Sequence, residues 1–274
     1  MIAVFCFALG VEAKPFIELG KCKLLFQQKD LKYYKGKDFN CLVTGIGRIR
    51  MATAIGWLSG FEQQEKCLFN IGLAGSVKLQ KHTWHFVCKV TDELTGKDFY
   101  PEIIKTYDLP IQKLTSVMMP ANSNKIKQLQ TDLVDMEGYA FCKSAQQFLP
   151  TTHIHLIKFV SDEGSEHFSF TNWLEYYNNS IAVIAEKCLS ILTYITQTQN
   201  KYNTNVQHLI DLIEAKIKLT FSQKVQLRNA LIFQLNTHGE SHVKKLLNDL
   251  PEAIKQKEQR NIIVEQLLNK LHHA

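Results

Sequence analysis

The chain has 274 residues, 45% hydrophobic and 21% charged, enough for one sizeable core with a further module appended, as in a soluble enzyme. Its 32 Lys and Arg against 26 Asp and Glu leave a net charge of +6, an imbalance too small and too scattered to mark a nucleic-acid binder. The opening apolar run, Met1 to Leu9, lacks a basic leader and a cleavage site and is too short to span a bilayer, so it reads as a first buried strand.

Strand-like runs rich in Val, Ile, Phe, Leu and Cys are predicted at 2–9, 22–27, 40–44, 67–71, 83–91, 113–119 and 153–160. Helical patterns stand between several of them, at 51–58, from Tyr139 to Phe148, and in a long segment from Phe170 to about Thr196. This intermixed order predicts an α/β protein, a three-layer α/β/α sandwich on a mixed central sheet. The cysteines at 6, 22, 41, 67, 88, 142 and 188 are odd in number, lack paired spacing and sit mostly among apolar neighbours, which points to reduced thiols and the cytoplasm.

Beyond Gln199 glycine becomes rare and strands disappear. Helices are predicted at about 204–218, 222–236, 240–249 and 252–272, with Ser222 as an N-cap, giving a C-terminal all-α extension. The polar run Asn200 to Asn205 reads as the linker, so the domains are expected to be 1–198 and 199–274. Residues 200–274 hold 11 Lys and Arg against 7 Asp and Glu, but no basic run exceeds two residues and the acids are interspersed, as on a solvated helical face.

The segment Leu133-Val134-Asp135-Met136-Glu137-Gly138-Tyr139-Ala140 places two carboxylates around a methionine where a strand runs into a helix. A glutamate there can accept from two vicinal sugar hydroxyls while a thioether packs on the ring, although the same acids also serve as plain helix caps. Four further segments follow predicted strands: Ala8-Leu9-Gly10-Val11-Glu12, Thr44-Gly45-Ile46-Gly47, Asn70-Ile71-Gly72-Leu73-Ala74-Gly75 and Phe159-Val160-Ser161-Asp162. In an open α/β sheet ligands gather at the carboxyl ends of strands, so these loops are expected to converge on one cleft.

Taken in order, these five motifs make residues 1 to about 196 resemble the purine/uridine nucleoside phosphorylase family, and within it the methylthioadenosine/S-adenosylhomocysteine nucleosidases. The resemblance implies cleavage of the N-glycosidic bond of an adenine-type nucleoside. Asp162 would serve the departing purine at N7, and Glu12, read as a loop residue, would deprotonate the attacking water. Met136 and Glu137, with Asp135, would hold the ribose; Ser161 would accompany Asp162, and Phe159 is a candidate base contact. Gly45, Gly47, Arg48, Gly72, Leu73 and Lys158 would surround the water or an anion.

The chain departs from the family at informative positions. The phosphorylases carry an arginine before the glycine loop and a Ser or Thr after its first glycine, where this chain has Asn70 and Leu73, so water is favoured over phosphate. Leu73 also replaces a hydroxyl residue of the nucleosidases, and Lys158 replaces their arginine, keeping charge but losing the planar fork. The stretch from Lys97 to Thr131 is shorter than in the family, which leaves Tyr100, Met118 and Met119 as weak base contacts, with core packing the competing reading for the methionines. His153 and His155, His82 and His85, and the terminal His272 and His273 lack further ligands at metal-like spacing, so neither metal nor cofactor is expected. The expected partners are a nucleoside, phosphate only in the alternative reading, and a second copy of the chain, with no membrane. The alternatives are a phosphate-dependent phosphorylase, or a non-catalytic nucleoside-binding scaffold acting through its C-terminal helices.

Overall fold

The computed structural model describes residues 1–103, 108–164, 171–247 and 257–273. The opening run forms β1 (Ile2–Phe7), followed by α1 (Gly10–Leu19), the hairpin β2 (Lys23–Gln28) and β3 (Leu31–Lys35), then β4 (Phe39–Val43), α2 (Arg48–Phe61) and β5 (Lys66–Gly75). Next come β6 (Trp84–Asp92), β7 (Asp98–Phe99), β8 (Ile111–Ser116), α3 (Ser123–Gln128), β9 (Leu133–Asp135), α4 (Gly138–Ala145) and β10 (Ile154–Asp162). The remaining described elements are the helices α5 (Thr171–Glu214), α6 (Phe221–His238), α7 (Glu240–Leu247) and α8 (Lys257–His273).

The strands form one mixed sheet. β1 lies parallel between β4 and β5, β5 is also parallel to β10, and β3 and β2 add antiparallel strands beyond β4. The other end of the sheet closes on itself, because β10 pairs with β6, β6 with β8, β8 with β9, and β9 with β5. The central strands are apolar on both faces, as expected where helices cover both. Along β1, Ala3, Phe5 and Phe7 join the layer that holds Phe16 of α1 and Trp173 of α5, while Val4 and Cys6 join the layer of Met51 and Phe141 on α2 and α4. Phe5 stacks on Phe39 at 4.4 Å and meets Phe69 edge-on at 5.7 Å. Each such aromatic pair adds about 0.5–1.5 kcal/mol to the gain from burial itself.

The chain divides into two compact units, Met1–Ile195 and Thr196–Ala274. The second unit has its own apolar core, built by Val206, Leu209 and Ile213 of α5, Leu227 and Leu231 of α6, Val243 of α7 and Leu267 and Leu271 of α8. Inside it the buried Gln234 donates to the Leu271 carbonyl at 2.6 Å.

Several sequence expectations are corrected. Residues Asn200 to Asn205 are helical, part of α5, not a linker. No glycine or proline interrupts that run, so its polar side chains do not break a helix whose apolar positions resume at Val206. The cap of α6 is Thr220, whose hydroxyl accepts from Gln223 N–H while the Gln223 side chain accepts from Thr220 N–H, so Ser222 lies inside the helix. Glu12 belongs to the first turn of α1, and the strands predicted to end at 71 and 160 run on, so Gly72 to Gly75 and Ser161 to Asp162 are strand, not loop. Phe170, expected to start the long helix, and residues 248–256 of the two last predicted helices lie outside the described residues. All seven cysteines are free thiols, and no described helix is long and apolar enough to cross a membrane.

Candidate active site

A cleft of about 340 Å³ opens past the carboxyl ends of β1, β5, β9 and β10. Ala8, Leu9 and Glu12 line it from the start of α1, Leu73 to Gly75 from β5, Asp135 to Glu137 from the end of β9, and Ser161 and Asp162 from the end of β10. Three of the four companion segments thus meet the Asp-Met-Glu segment as main wall elements, and the glycine pair contributes Ile46.

Glu12 is held by both oxygens. Its Oε2 accepts from Leu9 N–H at 2.8 Å and its Oε1 from Leu73 N–H at 3.0 Å, which fixes the carboxylate between the top of α1 and β5. A carboxylate offers about four lone-pair positions, so acceptor capacity remains for a water. Burial pushes its pKa up, and the two backbone donors and the Lys158 ammonium pull the other way. The Glu12 backbone carbonyl accepts from the Tyr177 hydroxyl at 3.2 Å, tying the helix start to α5.

Beneath the cleft lies a buried ion pair. Lys158 Nζ stands 2.8 Å from Asp135 Oδ2 and donates to Asn70 Oδ1 at 2.6 Å. The other Asp135 oxygen accepts from Ser116 Oγ, and its Oδ2 also accepts from Gly138 N–H at 2.8 Å, the N-terminal amide of α4. Three of the acceptor positions of Asp135 are thus taken by the protein, which ties it to Lys158 and to the start of α4 while it lines the cleft. Gly72 permits this approach, since a Cβ there would come within 3.3 Å of Glu12 Oε1 and 3.6 Å of Lys158 Nζ.

Glu137 accepts from Gly47 N–H at 2.6 Å with one oxygen, and its second oxygen receives no hydrogen bond from a described residue. Its pKa is raised to about 7, first by burial and then by the Asp135 charge. Met136 lines the cleft beside it with its side chain partly buried against Val117 and Ile126. At the far side, a register shift in β10 between Val160 and Asp162 breaks the strand alternation and turns both Ser161 and Asp162 to the cleft. Asp162 Oδ1 accepts from Gly164 N–H and Oδ2 from the Ser161 hydroxyl, each at 2.7 Å.

Of the expected site residues, Gly45, Gly47, Arg48, Gly72, Lys158 and Phe159 do not line the cleft. Phe159 is fully buried on the opposite face of β10, edge-on to Trp84 at 5.0 Å and Tyr177 at 5.4 Å, because the regular alternation that points Lys158 one way points its neighbour the other. Arg48 opens α2 but turns to Asp92, at 2.7 Å, so its charge is answered away from the cleft lining. Gly45 and Gly47 take positive φ values of 85° and 101° and shape the turn that aims the Gly47 amide at Glu137. Tyr100, Met118 and Met119 are exposed and do not line the cleft. The wall next to Asp162 is instead aliphatic, with Val117, Pro120, Ala121 and Ile126, residues whose sequence pattern carries no signal of ligand contact. No metal-holding cluster of His, Cys, Asp or Glu occurs among the described residues.

The fold is shared with solved structures. The chain is similar to the 5′-methylthioadenosine/S-adenosylhomocysteine nucleosidase of Neisseria meningitidis in complex with methylthio-immucillin-A, with TM-score 0.57 and 17% identity over 70% of this chain and 98% of that one. The nucleosidase of Colwellia psychrerythraea in complex with adenine matches with TM-score 0.59 and 20% identity over 70% of this chain and 96% of that one. The apo methylthioadenosine nucleosidase of Arabidopsis thaliana gives 0.58 and 17%, over 70% and 95%. At these identities the likeness establishes the nucleosidase-type fold, and the unmatched remainder agrees in size with the C-terminal unit. No protein-family model and no curated protein sequence matches the chain.

Proposed function

We propose that the first unit hydrolyses the N-glycosidic bond of an adenine-type purine nucleoside. The observation that carries this reading is the set of carboxylates lining one cleft, the buried Glu12 and Glu137 with the partly exposed Asp162, Glu137 keeping one oxygen that no described residue bonds. A ribose seated on Met136 would give its hydroxyls to Glu137. Glu12, with acceptor capacity to spare, would take a proton from water attacking the anomeric carbon as Asp162 holds the departing base through N7. The bond electrons leave with the base, which takes its proton at N7 through Asp162, while Glu12 keeps the proton drawn from the water. Positive charge that develops on the sugar is then flanked by Glu12 and Glu137, the groups best placed to stabilise it.

Electrostatics favour water over phosphate as the nucleophile. Lys158 is engaged by Asp135 and Asn70, and Arg48 by Asp92, so neither cation is left to receive a phosphate dianion. Such a dianion would have to settle beside Glu12 and Glu137 with Leu73 where a hydroxyl donor would be wanted. The neighbours bound to adenine and to methylthio-immucillin-A make adenine nucleosides with a 5′-thioether the first substrates to try. The exposed Ile46 at the cleft and Ile49 in the first turn of α2 support a homo-oligomer, a dimer first, and the seven free thiols support a cytoplasmic setting.

The test is base release from a nucleoside panel with phosphate present and absent. Free base and free ribose at equal rates in both conditions are expected, and Asp162→Asn should abolish them. Release that needs phosphate would identify a phosphorylase, while ligand-induced melting shifts without turnover would identify a binding protein.

A further inference from the structure

The first unit has a second concave surface, at the opposite end of its sheet. The cleft lies past the end of β1, whereas this groove lies where α1 ends and β4 begins, and Phe39 of β4 pairs with Ala3 at the start of β1. It has a volume of about 450 Å³ and is lined by Lys21, Lys23, Lys35 and Lys37 with one acid, Asp38. Elsewhere on this unit Lys78, Lys81, Lys89 and Lys125 each meet a carboxylate within 3.3 Å, while scattered lysines such as Lys32, Lys113 and Lys143 meet none among the described residues, so what distinguishes the groove is that its lysines share one concave surface. Among the described residues none of the four groove lysines has such a partner.

The fold forces these charges together. The hairpin register sets Lys23 directly opposite Lys35, a like-charge pair that destabilises a sheet. Lys21 sits at a positive φ of 47° as the left-handed residue that closes the end of α1, its N–H donating to the Glu18 carbonyl. Two glycines close the loops that carry Lys21 and Lys37 over one sulfur: a Cβ on Gly20 would come within 2.8 Å of Cys22 Sγ, and one on Gly36 within 2.7 Å. The C-terminal end of α1 adds about half a negative charge, so with Asp38 counted an excess of roughly two and a half positive charges remains.

We propose that this groove binds a short phosphate chain, the diphosphate or triphosphate part of a small molecule. An excess of that size is matched by such a chain, and the groove is larger than one phosphate requires. Ammonium groups on flexible stems are point charges that adapt to phosphate oxygens without a fixed fork. A bound polyanion would also relieve the repulsion between Lys23 and Lys35.

The probe is sodium tripolyphosphate, titrated calorimetrically into the full chain at constant ionic strength. One site per chain is expected, with a rise in melting temperature that sodium chloride of equal ionic strength does not give. The double variant Lys23→Gln, Lys35→Gln should bind tripolyphosphate at least tenfold more weakly and, without ligand, melt no lower than the parent. A second pair, Lys21→Gln with Lys37→Gln, should weaken binding likewise. An equal shift with chloride, or unchanged affinity in both double variants, would overturn the proposal. So would a single-stranded oligonucleotide that binds tenfold more tightly than tripolyphosphate, which would assign the groove to a nucleic-acid backbone.

Discussion

The two sides of the cleft are built on different principles. On the side of Glu12 and Glu137 every charged group is buried and tied to named partners: Leu9, Leu73, Gly47, Asn70 and the Lys158–Asp135 pair. On the side of Asp162 the wall is aliphatic, and Val117, Pro120, Ala121 and Ile126 offer shape without direction. Hydrogen bonds in a buried site demand particular atoms at particular distances, whereas apolar contact tolerates any group of suitable size. On the proposed reading, the sugar and nucleophile positions would be specified by bonds, while the base would be selected by fit around a single polar anchor.

The strongest break of this comparison is at Glu12. Glu12→Gln keeps the side-chain shape but removes the base, and base release should fall by about two to four orders of magnitude. A nucleoside analogue should still bind, so a thermal shift retained alongside lost turnover is the expected pair of results. If turnover survives, another group activates the water. The next largest effect is structural. Lys158→Met strands Asp135 in the interior, where its side chain is 1% exposed, and should cost about 3–5 kcal/mol of stability. Denaturant unfolding measures that loss directly, and adding Asp135→Leu should recover part of it.

The bonded side was the more legible in the sequence, for a physical reason. Glu12 and Glu137 are residue types whose chemistry is narrow, as is the lone polar Asp162 across the cleft, so their order along the chain carried information before any fold was known. What the sequence did not reveal was which way they turn. Asp135 reads as a sugar ligand in the sequence, and the sequence held no sign that Lys158, Ser116 and Gly138 also bond its oxygens. Phe159 is one residue from Lys158, and strand alternation alone sends it to the core. The aliphatic wall gave no signal because Val117 and Ile126 look like any core residue. The sheet and its helices followed from apolar periodicity, but the extent of α5 did not, since a polar run without glycine or proline is as compatible with helix as with linker.

A pH series sharpens the bonded side further. The Glu137 carboxyl is raised from 4.5 to about 7, so between those values the folded state holds a proton that the unfolded chain has released. Stability of the ligand-free protein should therefore fall as pH rises through that window and level off above it. Glu137→Gln should flatten this slope and leave the free protein more stable than the parent at pH 8, while weakening nucleoside binding. A parallel pH slope in the variant would mean that the titration belongs to another group.

The smallest expected effect is on the aliphatic wall. Ile126 Cδ1 would lie within 2.7 Å of a Cβ on Gly164 and 3.4 Å of one on Gly75, and that same Gly75 Cβ would be 3.4 Å from Asp162 Oδ1, so this methyl borders the proposed base anchor. Ile126→Val removes it and opens the wall slightly. The loss of one methyl group in an apolar pocket is worth about 1 kcal/mol, so KM for an adenine nucleoside should rise up to roughly tenfold with kcat nearly unchanged. Purines with a bulkier ring substituent should lose less than adenine does, because the new space receives them. Should kcat fall more than KM rises, the wall would be acting in the transition state, and the division between a bonded side and a fitted side would not hold.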